Sequence, residues 1–142
     1  MPAFLRAAEI EQQSLLVAEW MSTTSDRGWV KAALEVMRKV FRCEQGPFIK
    51  LMLAVPVPLD AVPDYTRVIF HLQDLGTIET TLKDNGFAGP DDWINAMRTV
   101  FRNSIVYNKE DGGIGSDIIQ AAEAASTVFE KEMLRLKGVT VI

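Results

Sequence analysis

Residues 93–108, WINAMRTVFRNSIVYN, decide the fold. Ile94, Met97, Phe101 and Ile105 recur at three- and four-residue spacing, so the run is an amphipathic helix with one side turned to a core. The apolar stripe gives out at Tyr107-Asn108, and a Gly-rich loop, KEDGGIGSD, follows. This puts the Asn108 amide at the mouth of whatever the helices enclose. Two readings are open there. Asn108 ends the helix, as Asn commonly does, or it donates from the rim of an apolar cavity to a neutral ligand bearing a carbonyl.

Working outward, Gly89-Pro90-Asp91-Asp92 opens this helix, with Pro near the first helical position and acids against the dipole. Beyond the Gly-rich loop, Ser116-Asp117 is predicted to cap a last helix to about Lys137, burying Ile118, Ile119, Ala122, Ala125, Val128, Phe129 and Met133. Upstream, Asp74 looks like the N-cap of a helix over 75–85, with Ile78 and Leu82 inward and Gly86 as its stop. Residues 64–70 read as a short helix or turn. The stretch 48–63, FIKLMLAVPVPLDAVP, holds three prolines and predicts a long ordered loop, within which IKLMLAV could form a short helical turn. An apolar loop of that length is more often functional than idle.

Residues 27–42 form a further helix striped by Val30, Ala33, Leu34, Met37, Val40 and Phe41; STTSD at 22–26 precedes it and Gln45-Gly46-Pro47 ends it. A less regular N-terminal helix is expected over 3–21, and VTVI closes the chain as a frayed or strand-like tail. The pattern predicts an all-α bundle of four main helices, with an N-terminal extension over 1–26, a bundle domain over 27–137 and a tail over 138–142.

Composition narrows the function. The chain has 142 residues, a formal charge of −4, one Cys and one His. Cys43 and His71 cannot by themselves supply a usual zinc ligand set. His71 has no evident partner for acid–base work, and no phosphate-binding glycine motif or nucleophile elbow is present. The acidic balance argues against direct nucleic-acid binding, and no stretch is apolar enough for a membrane span. The opening residues carry Glu too early for a signal peptide, so an intracellular protein is expected.

Pro47-Phe48, Pro56-Val57, Pro63-Asp64-Tyr65, Asp74-Leu75-Gly76-Thr77-Ile78 and F-x-N-x-x-x-Y-N at Phe101 to Asn108 occur in this order among these helices. In that order the chain resembles a bromodomain, the left-handed four-helix bundle that recognises acetylated lysine, over about 29–136. The resemblance implies a non-catalytic reader, nuclear and directed at acetylated histone tails, with no cofactor beyond pocket water. It also implies that Asn108 donates to the acetyl carbonyl, and that Tyr65 reaches the same oxygen through a water. Val57, Val62, Phe48 and Tyr107 match the apolar lining, and Ile114 the gatekeeper. Asp60, Asp64, Glu110 and Asp111 would give the rim a negative field for a basic tail. The rival is a bromodomain-like interaction scaffold that does not bind acetyl-lysine.

Three departures stand out. Gly46 occupies the place of a tryptophan that often precedes Pro-Phe, which predicts weak binding and a gain on Gly46→Trp unless Gly46 has positive φ. The segment 48–56 looks long for the family, leaving Val57 and Leu53 as alternatives for the pocket. Leu72-Gln73 replaces the usual Pro-Met.

Overall fold

The computed structural model describes residues 28–109 and 114–136, with the backbone alone at 114 and 115. The expected N-terminal helix, Glu110, Asp111 and the VTVI tail lie outside the described residues. The described chain is all-α: α1 (Gly28–Arg42), α2 (Gly46–Met52), α3 (Tyr65–Val68), α4 (Leu75–Lys83), α5 (Pro90–Asn108) and α6 (Ile114–Leu136). Helices α1, α4, α5 and α6 form the bundle, with α2 wedged against α1 and α6 and α3 resting on α5.

Helical spacing builds the core. Trp29, Ala33, Val36, Met37 and Val40 lie on one face of α1 and are buried. On α6, Ala121, Ala122 and Ala125 are fully buried, and their small size lets its neighbours approach closely. Phe129 then fills the space between Trp93, at 5.5 Å in an edge-to-face contact, and Phe101, at 5.9 Å. One ion pair crosses this interior. Arg98 donates from Nε and NH2 to the two carboxylate oxygens of Glu130, at 2.8 and 2.7 Å, and both residues are buried. The two-point geometry answers both charges at once.

Three boundaries differ from the expectation. Residues 46–52 form a helix where a long loop with at most a short helical turn in IKLMLAV was expected, and it starts earlier because Pro47 sits in the first turn, where a missing N–H costs nothing. Gln45-Gly46-Pro47 therefore ends one helix and starts the next, and Pro56 and Pro58 act only beyond Leu53. Helix α4 stops at Lys83, before Gly86. Asn85 takes the left-handed conformation at φ 56°, Asn85 N–H reaches Leu82 O at 3.1 Å, and Gly86 N–H reaches Thr81 O at 2.8 Å. That is a Schellman stop with Asn in the position glycine usually holds. Helix α6 starts at Ile114, so Asp117 lies in its first turn rather than before it.

Two glycines fix how the elements meet. A Cβ on Gly46 would lie 2.0 Å from the Phe41 carbonyl oxygen, and one on Gly76 would lie 2.3 Å from that of Ala54. The second contact belongs to a clamp. Leu75 N–H donates to Leu53 O at 2.9 Å and Gly76 N–H to Ala54 O at 3.1 Å, so the first turn of α4 caps the end of α2. Asp74 caps α4 as expected, accepting from Thr77 N–H and Thr77 Oγ1, both at 2.8 Å. Asn103 Nδ2 donates to His71 O at 2.7 Å and ties the returning loop to α5.

Two stability outcomes follow from these contacts. Glu130→Ala should cost about 3–5 kcal/mol, since the Arg98 guanidinium would stay buried without its two-point carboxylate partner, whereas Arg98→Met with Glu130→Leu should cost much less. Urea unfolding of both variants checks this, and a double variant as unstable as the single one would refute it. Gly46→Ala should cost at least about 1–3 kcal/mol, the usual scale of overpacking, because the contact is with backbone that cannot turn aside. A thermal melt indistinguishable from that of the unsubstituted chain would contradict the stated contact.

Candidate functional site

The loop between the clamped ends, residues 55–74, runs back over the end of α5. Between them lies a cavity of about 460 Å³. Asn108 and Tyr65 are among the polar side chains that line it. Asn108, 8% exposed, ends α5, and its Nδ2 donates to Ser104 O one turn earlier at 2.7 Å. That bond occupies one of the two hydrogens of the amide and aims the group along the cavity wall. Tyr65, 6% exposed, opens α3, and its backbone N–H donates to Val62 O at 3.2 Å. Burial raises its phenol pKa above the ordinary 10.0.

The walls are apolar. Val57 and Val62 come from the proline-rich loop, with Pro56 and Pro58 between and beside them, and Leu51, Met52 and Val55 come from α2 and its extension. Helix α5 contributes Ser104 and Tyr107, and α6 contributes Ile118. Tyr107 does more than line the cavity. Its ring lies 4.8 Å from that of Tyr65, and its hydroxyl donates to Asp64 Oδ1 at 2.7 Å, so α5 holds the loop at its bend into α3. Asp60 is exposed on the same loop.

Of the residues singled out from the sequence, Asn108, Tyr65, Val57, Val62 and Tyr107 converge on this cavity. Phe48 does not line it; it is half-buried against the core. Between Val57 and Leu53, the cavity takes Val57, while Leu53 is buried in the core. The Ile114 side chain lies outside the described residues; among those described on α6, Ile118, one turn further on, lines the cavity. Leu51, Met52 and Val55 were not among the expected lining residues; Leu51 and Met52 lie in the last turn of α2 and Val55 just beyond it.

Gly46 is not an empty shelf that a tryptophan could refill. It is buried at the start of α2, and what forbids a larger residue is the Phe41 carbonyl rather than a left-handed φ. Leu51 and Val55, further along the same segment, line the cavity and are 66% and 51% exposed.

An all-α bundle with a largely apolar cavity between a long interhelical loop and one helix end, lined by one amide and two phenols, has the form of a small binding module. The comparisons give its family. The bromodomain sequence profile matches residues 36–123. The chain is 29% identical over 110 residues to the SWR1 complex bromodomain subunit bdf1 of Schizosaccharomyces pombe, a match covering 75% of this chain and 17% of that protein. It is 32% identical over 79 residues to bromodomain-containing factor 1 of Candida albicans, covering 53% of this chain and 10% of that one. The chain thus spans less than a fifth of the length of these relatives. Among solved structures, the second bromodomain of Candida albicans Bdf1, bound to an imidazopyridine, shares the fold with a TM-score of 0.61 at 23% identity, over 72% of this chain and 94% of that one. The chain belongs to the bromodomain family. Members are non-catalytic modules typically associated with chromatin, and among the described residues no cluster of His, Cys, Asp and Glu is arranged to hold a metal.

The raised Tyr65 pKa gives a sign that can be measured. The folded chain holds the phenol proton more tightly than the unfolded one, so this contribution to stability is intact below pH 10.0 and is lost as pH rises through the folded pKa. The phenolate absorbance that disappears on Tyr65→Phe should therefore titrate with a midpoint above 10.0. A midpoint at or below it would contradict the burial of this ring.

Proposed function

We propose that the chain reads acetylated lysine, with histone tails in the nucleus as its targets. One observation carries the reading: a buried amide and a buried phenol face the same otherwise apolar cavity. An acetyl-lysine side chain entering there brings an aliphatic stem for Val57, Val62 and Leu51 and a carbonyl for the second amide hydrogen of Asn108. The Tyr65 hydroxyl reaches that oxygen through a water. Tyr107, held by Asp64, keeps the loop wall in position. Unmodified lysine is rejected because its ammonium would lose its hydration in the cavity at a cost of several kcal/mol, with no carboxylate among the described lining residues. Acetylation removes the charge, and that removal is the switch. Asp60 favours a basic tail at the rim through its field. The SWR1-complex relative supports a chromatin setting.

A second reading, an interaction scaffold, has one observation in its favour. Val68, Phe70 and Val106 are exposed together around a shallow hollow beside the Asn103 tie, with Phe70 82% exposed. An array of acetylated and unmodified histone peptides separates the two, since a scaffold gives no acetyl-dependent signal. Within the reader proposal, Asn108→Ala should weaken acetyl-peptide binding by about 1–3 kcal/mol, because the ligand carbonyl is buried without its donor. Tyr65→Phe should cost less, since a water-bridged bond is easier to replace. Calorimetric titration of one acetylated peptide into the three proteins gives the order. Equal affinities for Asn108→Ala and the unsubstituted chain would remove the assigned site.

A further inference from the structure

On the other side of α2 from the loop cavity, a second hollow of about 530 Å³ is bounded by α1, α2 and α4. Leu34, Phe41 and Ala54 give it an apolar floor. Arg38, Arg42, Lys50 and Lys83 surround that floor, against one carboxylate, Glu79. In a chain of net charge −4 this is a local reversal of sign. Helix dipoles explain part of it, because Arg42, Lys50 and Lys83 each stand in the last turn of a helix, where a cation is favoured. They do not explain why three helices bring those cations to one hollow, nor Arg38 one turn earlier. Existing partners hold these groups loosely. Arg38 bonds Glu35 on the surface, Lys83 lies 3.9 Å from Glu79, and Lys50 lies over the Phe41 ring at 5.7 Å. Exposed pairs of this kind are worth only about 0–1 kcal/mol, so an incoming carboxylate displaces them at little cost.

We infer that this groove docks a peptide segment of another protein in which acidic and apolar side chains alternate. The alternation matches floor and rim together. An apolar side chain covers Leu34, Phe41 and Ala54, while its acidic neighbours meet the four cations. Nucleic acid fits less well, because a phosphate backbone leaves the floor uncovered and the acidic remainder of the chain opposes its approach. A small inorganic anion leaves the floor uncovered as well.

Fluorescence anisotropy with a labelled synthetic peptide alternating glutamate and leucine tests this on the full chain. Saturable binding is expected, weakening with salt and about tenfold or more in Arg38→Glu/Arg42→Glu and in Lys83→Glu. Those side chains are exposed, and unchanged melting of the variants verifies that the fold is kept. Asn108→Ala should leave this binding unaltered, which separates it from the acetyl-lysine proposal. Equal binding of a glutamine-for-glutamate peptide, or unchanged affinity in both charge variants, would overturn the inference. So would displacement of the peptide by inorganic triphosphate that itself binds as tightly, or peptide binding seen only after removal of residues 1–27.

Discussion

Two hydrogen bonds, from Leu75 N–H to Leu53 O and from Gly76 N–H to Ala54 O, turn a long interhelical excursion into a wall. They work because a helix leaves carbonyls unpaired at its end and N–H groups unpaired at its start. Here the end of α2 and the start of α4 satisfy one another. The approach is so close that Gly76 has no room for a side chain. Each such bond contributes about 1 kcal/mol, which cannot offset ordering the roughly twenty residues between, at about 1–2 kcal/mol apiece. The bonds therefore fix where the loop begins and ends. What holds it down is burial of Leu53, Tyr65, Ile69 and Leu75, helped by proline residues that have less freedom to lose.

The cavity follows from that arrangement. A loop pinned at both ends and tied to α5 through Asn103 and Tyr107 cannot collapse onto the helix end, because Tyr65 and Tyr107 stand between them as a tilted pair. Polar groups are few inside. The Asn108 amide is held by the helix it ends, and the Tyr65 ring is packed against that of Tyr107. Preset donors lose little freedom on meeting a ligand, which is how a small cavity with few polar groups can still be selective.

Much of this was legible in the sequence. The stripes of α1, α5 and α6 follow the 3.6-residue period over many turns, and Asp74 three residues before Thr77 marks a cap by chemistry that is local. Asn108 was legible because it ends a helix beside a Gly-rich loop, whereas Tyr65 was singled out only through the family resemblance carried by Pro63-Asp64-Tyr65. What was not legible depends on distant backbone. Gly46 looked like a missing aromatic, yet its role is set by the Phe41 carbonyl. Asn85 was overlooked as the stop of α4 because glycine one residue later is the commoner left-handed residue, and only the pairing of Gly86 with Thr81 assigns the roles. The face of α2 was hidden by prolines that begin just after it ends, and with it Leu51, Met52 and Val55.

Helix α2 also explains how two hollows coexist in so small a bundle. Within a few residues it turns Ile49 and Leu53 to the core, Leu51, Met52 and Val55 to the loop cavity, and Lys50 and Ala54 to the cationic groove. A seven-residue helix carrying three faces would shift under load on any one of them if it were held by side chains alone. It is held by backbone at both ends instead, with Gly46 against the Phe41 carbonyl and Ala54 against Gly76. Neither place has room for a Cβ, so the backbone of α2 is seated directly against that of α1 and α4, with no side chain between to change rotamer. The two hollows lie on either side of this segment.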